Sequence, residues 1–99
     1  MSIVQSIVNV KMLDHGAIGI EITLPNSPPL IVIKGRKGFI MCGYLNIDLA
    51  NKLGLIAARV VGVKSVEEML EKEIVNATNK AKELGIKEGM KVKGILKLI

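Results

Sequence analysis

Cys42 is the only cysteine in the sequence, and its position could sharpen it as a nucleophile. It closes the apolar run Phe39-Ile40-Met41-Cys42, Gly43 follows, and a helix is expected to open at Asn46. A thiol near a helix N-terminus is drawn toward thiolate by the unpaired amides there. Attack by a thiolate needs a base, however, and the only histidine, His15, belongs to a distant turn. Asp48, in the first turn of the expected helix, would oppose the negative charge. An apolar run is also where inert core cysteines are found. Core packing is therefore the first reading of Cys42, and a reactive or ligand-lining thiol the alternative.

Arg59 stands inside Ala57-Ala58-Arg59-Val60-Val61, which is otherwise apolar. A guanidinium there must be paired or must reach water, because an uncompensated buried charge is costly. It could grip a small anionic ligand, carboxylate or phosphate, through two parallel hydrogen bonds. It could equally form a salt bridge, to Glu21, to Asp48 or across a subunit boundary. Lys34-Gly35-Arg36-Lys37-Gly38 is a second anion candidate, since amides freed beside glycine and three positive charges can cradle phosphate. A hairpin turn with solvated charges is its commoner meaning. Neither a Walker loop nor a dinucleotide fingerprint is present. His15 lacks a second histidine, a second cysteine or clustered carboxylates, so no metal site and no cofactor are expected.

These residues need elements to hold them. The 99 residues suffice for one domain. With one Phe, one Tyr and no Trp, the core must be aliphatic. Hydrophobic residues make up 49% of the chain, at the top of the usual range. The excess in so small a domain points to a subunit interface, hence a homo-oligomer. The formal charge of +5 comes from fourteen Lys/Arg against nine Asp/Glu and says little about partners. Two aromatic residues offer no stacking platform for bases, so nucleic acid is not an expected partner. No apolar run approaches membrane-spanning length, and Met1-Ser2-Ile3-Val4-Gln5 does not read as a secretory leader. A lone cysteine fits a reducing cytoplasm.

Ile3 to Met12 alternates, with Val4, Val8, Val10 and Met12 against Gln5, Asn9 and Lys11, and predicts a strand with one wet face. Asp14-His15-Gly16 is turn chemistry. Ile18, Ile20, Ile22 and Leu24 alternate with Ala17, Gly19, Glu21 and Thr23 in a second strand. Three prolines in Pro25–Pro29 then break regular structure. Leu30–Ile33 and Phe39–Cys42 are unbroken apolar runs, the pattern of strands covered on both faces. Helices can cover one face and a neighbouring subunit the other. Asn46 is a good N-cap for a helix from Ile47 to Leu53. Ile56 to Val63 is a fifth strand, and Ser65-Val66-Glu67-Glu68 is a capping box. Apolar spacing of three or four through Val66, Leu70, Ile74, Ala77, Ala81 and Leu84 predicts one long helix. Gly85-Ile86 suits a Schellman end, and Met90–Leu98 a last short helix.

The blocks Gly38–Asn46, Ala58–Leu70 and Leu84–Met90 together resemble DUF1805, the family of YunC-like bacterial and archaeal proteins, a domain of unknown function. The resemblance implies a single-domain α+β fold and carries no reaction, ligand or catalytic residue. It also implies a break near Glu71-Lys72-Glu73, so that the long helix becomes two. The expected architecture is about five strands in a mainly antiparallel or mixed sheet. Two to four helices, mostly in the C-terminal half, pack on one face. The expected function is a homo-oligomeric module that binds a small ligand or a partner. Cys42, Asn46 and Arg59 are its candidate site residues. The alternative is a thiol-dependent enzyme using Cys42, with Arg59 as anion anchor.

Overall fold

The computed structural model of the chain describes residues 7–99. Six strands form one sheet in sequence order: β1 (Val8–Met12), β2 (Ile18–Ile22), β3 (Leu30–Lys34), β4 (Phe39–Met41), β5 (Ala57–Arg59) and β6 (Asn76–Ala77). All neighbours are antiparallel except β4 and β5, which are parallel and joined through helix α1 (Ile47–Lys52). The residues expected before position 7 in the first strand lie outside those described. The hairpin succession follows from the punctuation: Asp14–Gly16 is a 3-10 turn, and the proline segment separates β2 from β3.

The region read as one long helix is two. α2 (Val66–Glu71) ends where Lys72 turns extended, β6 adds to the edge of β5, and α3 (Asn79–Glu83) follows. The break falls where the family resemblance implies it. β6 is thus a sixth strand taken from a stretch whose spacing reads as helical. The final helix is of the 3-10 type, over Val92–Leu98. Its neighbour α3 ends as its sequence predicts, with Gly85 and Ile86 amides donating to Lys82 and Ala81 carbonyls.

Side chains alternate across a sheet, and the register sorts them into two faces. One face carries Ile31, Ile33, Ile40 and Ala58, all essentially fully buried. They share a core with Val66 and Met69 of α2, Ala81 of α3, and Ile95, Leu96 and Ile99 of the C-terminal stretch. α2 comes so close to β2 that a Cβ at position 19 would lie 2.5 Å from Val66 Cγ1, which is why glycine stands there.

The other face aligns Val10, Ile20, Val32, Met41, Arg59 and Asn76 across all six strands. Val8, Ile22 and Leu30 form a second such row, and Met12, Ile18, Lys34 and Phe39 a third. No described helix covers it over β1–β3; Val8, Val10 and Met12 are 46%, 63% and 77% exposed. The strand alternation is therefore inverted relative to its simplest reading. In β1 the polar row faces the helical layer, where Lys11 and Asn9 meet Glu21, and the aliphatic row looks outward.

Candidate functional site

The carboxyl ends of the parallel strands β4 and β5 lie side by side, as Met41 pairs with Arg59. In sheets with parallel strands this end is where connecting loops diverge and ligands lodge. A cleft of about 290 Å³ opens here. Cys42, Gly43 and Tyr44, which follow β4, form one wall; Gly62 and Val63, which follow β5, form another, and Pro28 and Pro29 close it from the start of β3.

Cys42 continues the β4 ladder, its amide donating to the Ile31 carbonyl at 3.1 Å. Its side chain thus shares the covered face with Ile40, and it is only 4% exposed. Sγ accepts from the Ile31 amide at 3.4 Å. The Tyr44 hydroxyl donates to the Pro28 carbonyl at 2.7 Å and ties the cleft wall to the proline loop. No acid, base or cation lines this cleft. His15 sits at the other end of the sheet, in the turn joining Met12 to Ile18. The thiol therefore has a cavity beside it and no carboxylate, imidazole or cation among the described lining residues.

The three candidate residues are not brought together. Asn46 is the N-cap of α1, and its Oδ1 is occupied by the Leu49 amide at 3.1 Å. Arg59 follows Ala58 by one residue and so points to the open face, away from Cys42. No ion pair among the described residues includes Arg59. Glu21, one partner considered for it, lies on the covered side and is engaged elsewhere. Arg59 Nε is buried without an acceptor, and Asn76 Oδ1, its cross-strand neighbour, is buried without a donor.

Glu21 anchors the helical layer to the sheet. Its carboxylate accepts from the Val66 amide at 2.6 Å, from Lys11 Nζ at 3.0 Å and from Asn9. Burial pushes its pKa upward, yet the Val66 amide and the Lys11 ammonium outweigh burial and hold it below the usual carboxylate value. Lys11 also binds Glu67 at 2.8 Å, which raises the lysine and lowers Glu67. Glu71 is lowered in the same way by Lys93.

Sequence reasoning missed most of the cleft wall. Pro28 and Pro29 read only as breakers, and Tyr44 as one of two aromatics. It also missed Thr78, fully buried, whose Oγ1 donates to the Leu55 carbonyl and accepts from the Ala57 and Ala81 amides. A Thr just before Asn79-Lys80-Ala81 was the available sign of a helix start.

The fold and cleft define a small α+β domain with a mixed sheet, helices on one face and a ligand-sized opening at the ends of its parallel strands. The chain belongs to the family described as Domain of unknown function (DUF1805), whose profile matches residues 41–99. It is 33% identical over 75 residues to the uncharacterized protein YunC of Bacillus subtilis (strain 168), covering 72% of this chain and 73% of that one. The crystal structure of TA1206, a protein of unknown function from Thermoplasma acidophilum, matches with a TM-score of 0.79 at 38% identity. That match covers 89% of this chain and 86% of the other. Among the described residues no helix is long and apolar enough to cross a membrane.

Proposed function

We propose that this protein is a homo-oligomeric assembly module, in which the open sheet face packs against a second copy and the Cys42 cleft holds a small ligand. The observation that carries the reading is the set of aliphatic rows over β1–β3 that no described helix covers. Each fully buried Val, Leu or Ile side chain contributes roughly 1.5–3 kcal/mol. A face that presents seven such groups in three rows, with Met12, Met41 and Phe39 beside them, has a strong drive to be covered.

A second copy suits the face better than an unrelated partner. The face is aliphatic with charge confined to Lys34 and Arg59, so its complement is another aliphatic sheet, and sheets stack about 10 Å apart face to face. The orphan donor on Arg59 and the orphan acceptor on Asn76 lie on this face. A single cysteine with no disulfide partner supports the cytoplasm as the compartment.

Sedimentation velocity over a hundredfold concentration range tests the assembly. The expected result is a dimer or larger species that Val10→Lys converts to monomer. A monomer at every concentration, or a variant that assembles like the parent, overturns it. A thiol-dependent reaction at Cys42 has weaker support, because the lining supplies no base.

A further inference from the structure

β1 lies at one end of the strand order, and only its inner side has a described neighbour. The Thr23 amide donates to the Ile7 carbonyl and the Leu13 amide to the Ala17 carbonyl, each at 2.9 Å. Antiparallel pairs alternate between hydrogen-bonded and non-hydrogen-bonded. In this register Ile7, Asn9, Lys11 and Leu13 therefore turn their backbone groups toward β2. Val8, Val10 and Met12 turn theirs outward, where no described residue meets them. We propose that this edge pairs antiparallel with β1 of a second copy, about a twofold axis through Val10 perpendicular to the sheet. Such an axis keeps both helical layers on one side and leaves both aliphatic faces open on the other. The contact is thus distinct from face-to-face packing and does not rest on it.

Edge strands are normally blunted by shortness, proline, a bulge, a charge or a covering segment. The opposite edge follows that rule, since β6 has two residues. β1 has five, without proline and in unbroken register with β2. Its one charge is drawn away from the edge: Lys11 Nζ lies 3.0 Å from Glu21 and 2.8 Å from Glu67, on the helical side. All three residues whose backbone groups point outward are apolar and exposed.

A second copy suits this edge because the edge is its own complement. Placing Val10 opposite Val10 of the second copy sets Val8 opposite Met12, and every outward amide then meets an outward carbonyl. The cross-strand neighbours on the open face are apolar throughout, the kind of pair that stabilises a sheet. On the helical side Lys11 stands opposite Asn9. A register centred on Lys11 would instead oppose the two Lys11 side chains, which is destabilising. A register centred on Asn9 would leave Met12 without a partner inside the strand. Pairing about Val10 also consumes the long edge of each chain. What remains at either end is β6, so the contact closes at two chains instead of growing along the sheet.

Amide hydrogen exchange followed by NMR tests the edge. In concentrated protein the Val8, Val10 and Met12 amides are expected to exchange about a hundredfold more slowly than open chain, and to lose that protection on dilution. Face-to-face stacking alone leaves these amides in water, so the readout separates the two contacts. Ile20→Lys charges the face and spares the edge, and should keep the protection. Val10→Pro removes an outward donor and no bond to β2, a substitution that edge strands tolerate. It should abolish the protection of Val8 and Met12. If Val10→Pro fails to fold, as judged by its melting curve, dilution of the parent chain decides. Open-chain exchange at all three amides in concentrated protein overturns the proposal. Protection that survives dilution or a folded Val10→Pro chain does so too, as does its loss in Ile20→Lys.

Discussion

A methyl group at position 19 would fall 2.5 Å from Val66 Cγ1 and 2.8 Å from Cγ2, both held inside a filled core. Gly19→Ala must push α2 off the sheet or bend β2, and overpacking of this kind costs about 1–3 kcal/mol. A urea titration checks it: the midpoint should fall while the slope stays constant. Cys42 allows a complementary test of access. At 4% exposure its thiol should react with an aromatic disulfide reagent far more slowly in the folded chain than in urea. Labelling at the unfolded rate would contradict its burial. Its place in the core was legible, because Phe39–Cys42 is apolar throughout. The outward direction of Arg59 was not, because an unbroken apolar run gives no parity and only the pairing with β4 and β6 fixes the side.

At the scale of elements, α2 depends on a carboxylate it does not contain. Ser65 caps it as expected, accepting from the Glu68 amide at 3.0 Å. A second N-terminal amide, that of Val66, is satisfied by Glu21 from the sheet. The folded pKa of Glu21 is depressed, so its contribution is fully present above the unfolded value of about 4.3 and is lost as pH falls through the lower folded value. Glu21→Gln should cost about 1.5–3 kcal/mol at pH 7, the range for hydrogen bonds to charged groups, and the cost should shrink in acid. Denaturant midpoints at pH 7 and pH 3 measure it, and an equal loss at both would remove the charge from the explanation. The single-helix reading of 66–84 failed for a related reason. Val66, Met69, Ile74, Ala77 and Ala81 all contact one core, so they recur at short intervals whether or not the backbone is helical. What the spacing hid is the free edge of β5. The Val75 amide donates to Arg59 and the Thr78 amide to Ala57, and this gain competes with helix continuation. Val75, Asn76 and Thr78 are poor helix formers, and they were the local sign of it.

For the whole molecule, the decisive contrast is between two faces made of the same residue types. The high aliphatic content was legible as a surplus beyond one core, and the sheet places that surplus on a single side. Which side could not be read, since β1 and β2 each carry one regular alternation and nothing in either strand says that its more polar row meets the helices. The Glu21–Lys11–Glu67 cluster, drawn from three separate elements, and the close approach of Val66 to Gly19 turn those rows inward. If the aliphatic face is closed by a second copy, stability must follow mass action. A tenfold rise in chain concentration then adds about 1.4 kcal/mol per dimer to the folded state. The melting temperature should climb accordingly for the parent chain. Val10→Lys replaces a residue 63% exposed in the single chain, so it should cost the isolated domain little. Its melting temperature should therefore lie below that of the parent at high concentration and become independent of concentration. A parent melting temperature that ignores concentration over two decades would leave the sheet face open to water in solution and defeat the assembly reading.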